Sequence, residues 1–161
     1  MKFKLVPEAP DDLTLLADAQ RAVPLVPGTE DDCCARLMER LDFPSRDVAR
    51  TWLTFLRALG LAEETRSGFA RVRRDADRDE LADAFETRVY GVATVLDRLD
   101  ESGPLSAEAA FEEFREEIPT WERHKDPIRV EDVWRERIGN LLDWAVLFGL
   151  AERTDGGYRR A

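Results

Sequence analysis

The chain has 161 residues, 43% of them apolar and 36% charged, with a formal net charge of −10. That length holds one compact domain or two small units of roughly 70 to 80 residues, and the apolar fraction suffices for a core, which excludes disorder as the default reading. No uninterrupted apolar stretch is long enough to cross a membrane, and the segment from Met1 to Pro10 lacks the apolar core of a secretory leader, so a cytoplasmic protein without membrane contact is expected.

Phe3-Lys-Leu-Val6 reads as a short strand, punctuated by Pro7, Pro10 and Asp11-Asp12. Leu13, Leu15, Leu16, Ala19 and Val23 mark a first helix that Pro24 and Pro27-Gly28 end. Thr29 followed by Glu30, Asp31 and Asp32 predicts an N-cap with acids in the first turn, where they favour the helix dipole, and Cys33/Cys34, Leu37/Met38 and Leu41 continue at helical spacing. Phe43-Pro44-Ser45 stops this second helix and caps a third, whose apolar stripe is Val48, Trp52, Phe55/Leu56 and Leu59. Gly60 closes it. From Leu61 to Arg73 the period changes around Arg66-Ser67-Gly68, which predicts a β-hairpin.

Leu81, Phe85, Val89, Val92, Leu96 and Leu99 then recur at three- and four-residue spacing, and one long helix is expected up to Ser102-Gly103-Pro104. Ser106 reads as a further cap, followed by a helix through Ala110, Phe111, Phe114 and Ile118, a break from Pro119 to Pro127, and a last long helix from about Val130 to Phe148. A second hairpin ends at Tyr158.

The two hairpins belong to an internal repeat. Leu59–Arg71 and Phe148–Arg160 match at seven of thirteen positions when one is slid by 89 residues over the other, where average composition gives roughly one match. The chain therefore reads as two copies of one small unit, residues 1–75 and 76–161, the second including the joining helix and carrying an insertion around 119–128.

Basic residues comprise 21 Arg and only three Lys (Lys2, Lys4, Lys125) against 34 acidic residues. Such usage resembles the proteins of salt-loving organisms. In molar salt the Debye length is about 3 Å, and an acidic net charge then repels nucleic acid far less than in dilute buffer. The competing source is an ordinary acidic protein of a GC-rich genome, for which −10 argues against a polyanionic partner. Cys33 and Cys34, adjacent on a helix, diverge by about 100° and cannot clamp a metal together; they read as small packing residues.

Three helices, a brief turn between the second and third, and a two-stranded hairpin resemble a winged helix-turn-helix, including the end of the third helix, Leu56-Arg-Ala-Leu-Gly-Leu61, and the aromatic Phe69 on the second wing strand. The fold class expected is mainly α with small β-hairpins. The resemblance implies double-stranded DNA as a partner, with the third helix in the major groove and the wing on the backbone or minor groove. On a helical wheel with Val48 at zero, Arg46, Arg50 and Arg57 fall at about 160°, 200° and 180°, opposite the apolar stripe. Arg66, Arg71, Arg73 and Arg74 add guanidiniums from the wing, suited to phosphates and to guanine edges. The alternative is a set of solvated arginines, some paired with Asp47 or Glu63.

The last helix of the second copy offers Glu136, Gly139, Asn140, Asp143 and Leu147 on the corresponding face, so that copy is expected to make protein contacts, through Trp121, Trp144 and Leu147, with a second copy of the chain or another protein, the alternative being ordinary packing of these residues against the joining helix. His124, the single histidine, has no partner set for catalysis or metal binding, Glu112-Glu113 and Glu116-Glu117 read as a solvated acidic face, and the glycines follow no phosphate-binding pattern. No catalytic residue, metal or cofactor is therefore expected. Two readings of function follow: a DNA-binding transcription regulator whose first unit contacts DNA, or a non-catalytic interaction scaffold that never touches nucleic acid.

Overall fold

In the computed structural model, which describes residues 2–75 and 77–161, the chain folds as two units, one ending at Val89 and the other beginning at Tyr90. The first consists of α1 (Thr14–Ala22), α2 (Glu30–Leu41), α3 (Arg46–Ala58), the antiparallel hairpin β1 (Ala62–Thr65) and β2 (Gly68–Arg71), and α4 (Arg78–Arg88). The second consists of α5 (Val92–Ser102), α6 (Ala107–Phe114), a 3-10 turn at Arg115–Glu117, α7 (Thr120–Lys125), α8 (Val130–Leu147), and the hairpin β3 (Ala151–Thr154) and β4 (Gly157–Arg160).

The predicted caps form. Thr29 Oγ1 accepts the Asp32 N–H at 3.0 Å, Ser45 Oγ that of Val48 at 3.2 Å, and Ser106 Oγ that of Ala109 at 3.0 Å, each satisfying an orphan donor of a first turn. The repeated Gly-Leu-Ala stops α3 and α8 in the same way. Gly60 and Gly149 take φ of 78° and 76°, and the next residue reaches five positions back, Leu61 N–H to Leu56 O at 2.9 Å and Leu150 N–H to Ala145 O at 2.8 Å.

The wings share one register. Ala62 faces Arg71 and Thr65 faces Gly68, and 89 positions on Ala151 faces Arg160 and Thr154 faces Gly157. A third short element joins each hairpin from just before the cap of the second helix: Gly28 exchanges both backbone hydrogen bonds with Phe69 (2.9 and 2.7 Å), and Leu105 does so with Tyr158 (2.8 Å each). This approach explains the glycine retained in both copies. A Cβ on Gly68 would lie 2.3 Å from Gly28 O, and one on Gly157 2.2 Å from Leu105 O.

Aromatic rings fill the core of each unit. In the first, Phe43 stacks on Trp52, whose edge meets Phe55, and Phe85 of α4 packs edge-on to Phe55 at 6.0 Å. In the second, Phe114 stacks on Trp134 at 5.4 Å while Tyr90 meets both rings edge-on. Burying each such side chain contributes roughly 1.5–3 kcal/mol. Gln20, the one buried polar residue among the described residues, donates to Val72 O and Arg74 O and so ties α1 to the segment after the wing.

Three expectations need correction. Phe3–Val6 is not a strand: Phe3 alone forms a parallel bridge to Val89, donating to Arg88 O at 2.8 Å. The long helix is two helices, because Val89 is extended and Gly91 takes φ of 89°, with the Phe114 ring 2.9 Å from where a Cβ would stand. Apolar spacing runs on through the break since both helices bury a face, and α4 packs with α3 in the first unit. The expected boundary after residue 75 abuts Ala76, which with Met1 lies outside the described residues. Finally, the break from Pro119 to Pro127 contains helix α7. Thr29 and Ser106 are 77 positions apart but Leu59 and Phe148 are 89, so the second unit holds 12 extra residues between its second and third helices.

Candidate nucleic-acid interface

The seven arginines singled out in the first unit fall into two groups. Arg46, at the start of α3, donates to Asp31 Oδ1 at 2.5 and 3.0 Å and to Glu30 at 3.2 Å. That hydrogen bond and the Asp31 charge hold its proton more firmly than in free arginine. Arg57 is only 22% exposed; its guanidinium lies between the rings of Phe3 (5.4 Å) and Phe69 (5.3 Å) and bonds Glu64 of β1 at 3.1 Å. The helical wheel placed Arg57 opposite the core correctly for an isolated helix, but the wing and the N-terminal segment cover that end of α3. Arg71 spends Nε on Val23 O at 3.1 Å, and Arg74 lies 3.8 Å from Glu80. Arg50, Arg66 and Arg73 are exposed and make no ion pair among the described residues.

The second unit shows which contacts belong to the framework. Arg135, 89 positions after Arg46, bonds Glu108 at 2.9 Å, and Glu108, like Asp31, is the second residue after the cap. A clamp from the third helix to the start of the second is thus present in both copies, from the first residue of α3 and from the second turn of α8. The contact made by Arg57 also recurs with its charges reversed. Arg153 of β3, aligned with Glu64, lies over Tyr158 at 5.3 Å and bonds Asp143 of α8 at 3.0 Å, while the Tyr158 hydroxyl donates to Asp143 at 2.5 Å. Burial, then the Asp143 carboxylate, push the Tyr158 phenol above its ordinary range. In one copy the helix brings the cation and in the other the wing does, yet each stacks it on the wing aromatic.

By contrast Arg50 aligns with Gly139 and Arg66 with Asp155, so these guanidiniums have no counterpart. Thr54 shares the outward side of α3 with Arg50 by helical spacing, and Asp47 lies in its first turn.

Of the residues expected to make protein contacts, Trp121 is 57% exposed and lines one cleft with Val133 (43%). Leu147 is half-buried. Trp144 is a correction: it is fully buried and stacked on Phe148 at 5.5 Å, because the buried arc of α8 is wider than a single stripe and also takes in Val130, Trp134 and Leu141. Burial raises the Cys33 and Cys34 thiols above their ordinary range, as packing residues require. Sequence reasoning passed over Leu25 and Val26, which are exposed between Pro24 and Pro27.

Among the described residues no group of three or more His, Cys, Asp or Glu is placed to hold a metal, and no helix is long and apolar enough to cross a membrane.

Two units, each with a succession of three helices (α1–α3; α5, α6 and α8), a Schellman-type stop and a hairpin braced from before the second helix, define a tandem winged-helix protein. Over residues 1–161 the chain matches the model of the halobacterial double winged helix domain, and it belongs to that family. The acidic, lysine-poor composition is accordingly of halophile type. No curated protein and no solved structure matches the chain.

Proposed function

We propose that the protein binds double-stranded DNA as a regulator, through the first unit alone, with Arg50 of α3 and Arg66 and Arg73 of the wing as the contacting cations. The observation that carries this reading is the asymmetry of the copies. The bracing Arg46 recurs as Arg135, whereas Arg50 and Arg66, exposed and without an ion pair among the described residues, align with Gly139 and Asp155. Phosphate neutralisation by such groups is sequence-independent and salt-sensitive, while Arg50 on the outward side of α3 suits guanine edges. Arg46, Arg57 and Arg71 leave the set, since their guanidiniums serve internal contacts.

A second reading, a scaffold without nucleic acid, is favoured by Glu30, Asp31, Asp47 and Glu64, which sit among the same arginines. Residues 1–89 carry 14 basic against 18 acidic residues, a net of −4. Fluorescence anisotropy of a labelled duplex across a potassium chloride series separates the two. Binding is expected whose salt slope shrinks by roughly 0.9 for each phosphate-contacting arginine replaced with Ala. Failure of the unmodified protein to bind at any salt concentration rejects the regulator.

A further inference from the structure

The outward row of α3 carries an acid as well as a guanidinium. At about 100° per residue, Asp47, Arg50 and Thr54 fall within an arc of roughly 60° on the side away from the core residues Trp52 and Phe55. Asp47 and Arg50 are both exposed. The aligned row of the second unit is Glu136, Gly139 and Asp143, and there Asp143 is taken up by Arg153 and Tyr158. Of the two rows, only that of the first unit sets a guanidinium beside its acid.

Asp47 and Arg50 stand three residues apart, acid first, a spacing that closes into an ion pair elsewhere in the chain. Asp18 with Arg21 (2.5 Å), Glu112 with Arg115 (2.7 Å) and Asp132 with Arg135 (2.9 Å) all make the bond. Asp47 and Arg50 do not, and among the described residues the Asp47 carboxylate accepts no hydrogen bond. Its own helix does not occupy it. Ser45 Oγ serves the first turn by accepting the Val48 N–H at 3.2 Å, and Thr51 Oγ1 donates to the Asp47 backbone oxygen at 3.0 Å rather than to the carboxylate. One turn of α3 therefore offers solvent a fork of donors and a pair of acceptor oxygens that do not engage each other.

A phosphate backbone attracts Arg50 and repels Asp47, so a surface that receives this row must present donors as well as acceptors. In the major groove the donors are the exocyclic amino groups of cytosine and adenine, and a carboxylate suits cytosine N4 as an arginine fork suits guanine O6 and N7. Three residues rise about 4.5 Å along a helix, close to the roughly 3.4 Å between successive bases of a strand, which sets the two side chains over neighbouring base pairs.

We infer that Asp47 is a specificity residue of the duplex contact, accepting from the N4 amino group of a cytosine in the base pair next to the guanine held by Arg50. Its charge disfavours any register that sets a phosphate or a base-edge acceptor against it. The inference rests on the DNA-binding reading of the first unit, and it gives a use to an acid that otherwise weighs for the scaffold.

Selection of duplexes from a randomised pool by the whole chain, followed by anisotropy titration of the selected and unselected pools at one potassium chloride concentration, tests it. The selected duplexes are expected to share a G·C pair with a cytosine in the neighbouring pair. Changing that cytosine to thymine, which sets an O4 acceptor against the carboxylate, is expected to weaken the unmodified chain about tenfold or more and Asp47→Ala by no more than about twofold. Asp47→Ala is also expected to bind the unselected pool more tightly than the unmodified chain does, so that selectivity falls while affinity rises. An acid that only favours the dipole at the start of α3 would change the unfolding midpoint and leave base preference alone. Selected duplexes without that cytosine, or an Asp47→Ala variant that keeps the preference, overturn the inference and leave the DNA-binding reading standing. Binding of no duplex from either pool rejects that reading, and the inference with it.

Discussion

The two winged-helix units share most of the devices that make the fold, although α8 lacks the side-chain cap that Ser45 gives α3, and differ in much of what they present to solvent. Caps, Schellman stops, wing register and the glycine beneath the bridging carbonyl recur 77 or 89 positions apart with almost the same geometry. The clamp between third helix and wing recurs even though its charges have changed sides, Arg57 with Glu64 in one unit and Asp143 with Arg153 in the other. Selection on a fold preserves interactions rather than residues, and a residue shared by both copies is therefore weak evidence of activity. The comparison moves Arg46 from candidate contact to brace and leaves Arg50 and Arg66 as arginines that the first unit has where the second has Gly139 and Asp155.

The largest effects should come from what each core holds by itself. Trp134→Ala removes the ring that Phe114 stacks on and Tyr90 meets, and a loss of about 3–5 kcal/mol is expected in urea or guanidinium unfolding. Gly68→Ala and Gly157→Ala probe the shared framework. Each drives a methyl into a backbone carbonyl at positive φ, and both should cost about 3 kcal/mol, by equal amounts if the frames are equivalent. A large inequality would break the comparison.

Arg57→Ala should destabilise by about 1–2 kcal/mol through lost ring contacts and the Glu64 bond. The exchange Arg57→Glu with Glu64→Arg, which reverses the pair as the second unit does although Asp143 aligns with Thr54 one turn earlier, should recover much of that loss in thermal unfolding, and no recovery would show that the pair cannot be reversed in place. The smallest effects belong to Arg46→Ala and Arg135→Ala, exposed pairs whose removal should lower the melting midpoint slightly and to the same degree in both units.

Much of the framework was legible because it is local. Thr29, Ser45 and Ser106 announce their helices within three residues, and Gly60 and Gly149 announce the stops. What escaped depends on residues far apart in the chain. The break at Val89–Gly91 is invisible to apolar spacing, since Phe3 and Phe114 decide it from elsewhere. The helical wheel gave Arg57 the right direction and the wrong surroundings, for a wheel contains one helix and no wing. Trp144 failed for the complementary reason: an off-centre position is buried when a helix is covered over a wide arc.

Duplex binding measured on reciprocal variants tests most directly the claim that the fold was duplicated and the function was not. In anisotropy titrations at a fixed potassium chloride concentration, Arg50→Ala with Arg66→Asp, which gives the first wing the residue at Asp155, should abolish binding. Arg135→Ala with Arg159→Ala in the second unit should leave affinity within about twofold, since distant independent sites do not couple. Equal losses from both units, or binding that survives the first-unit changes, would contradict the account.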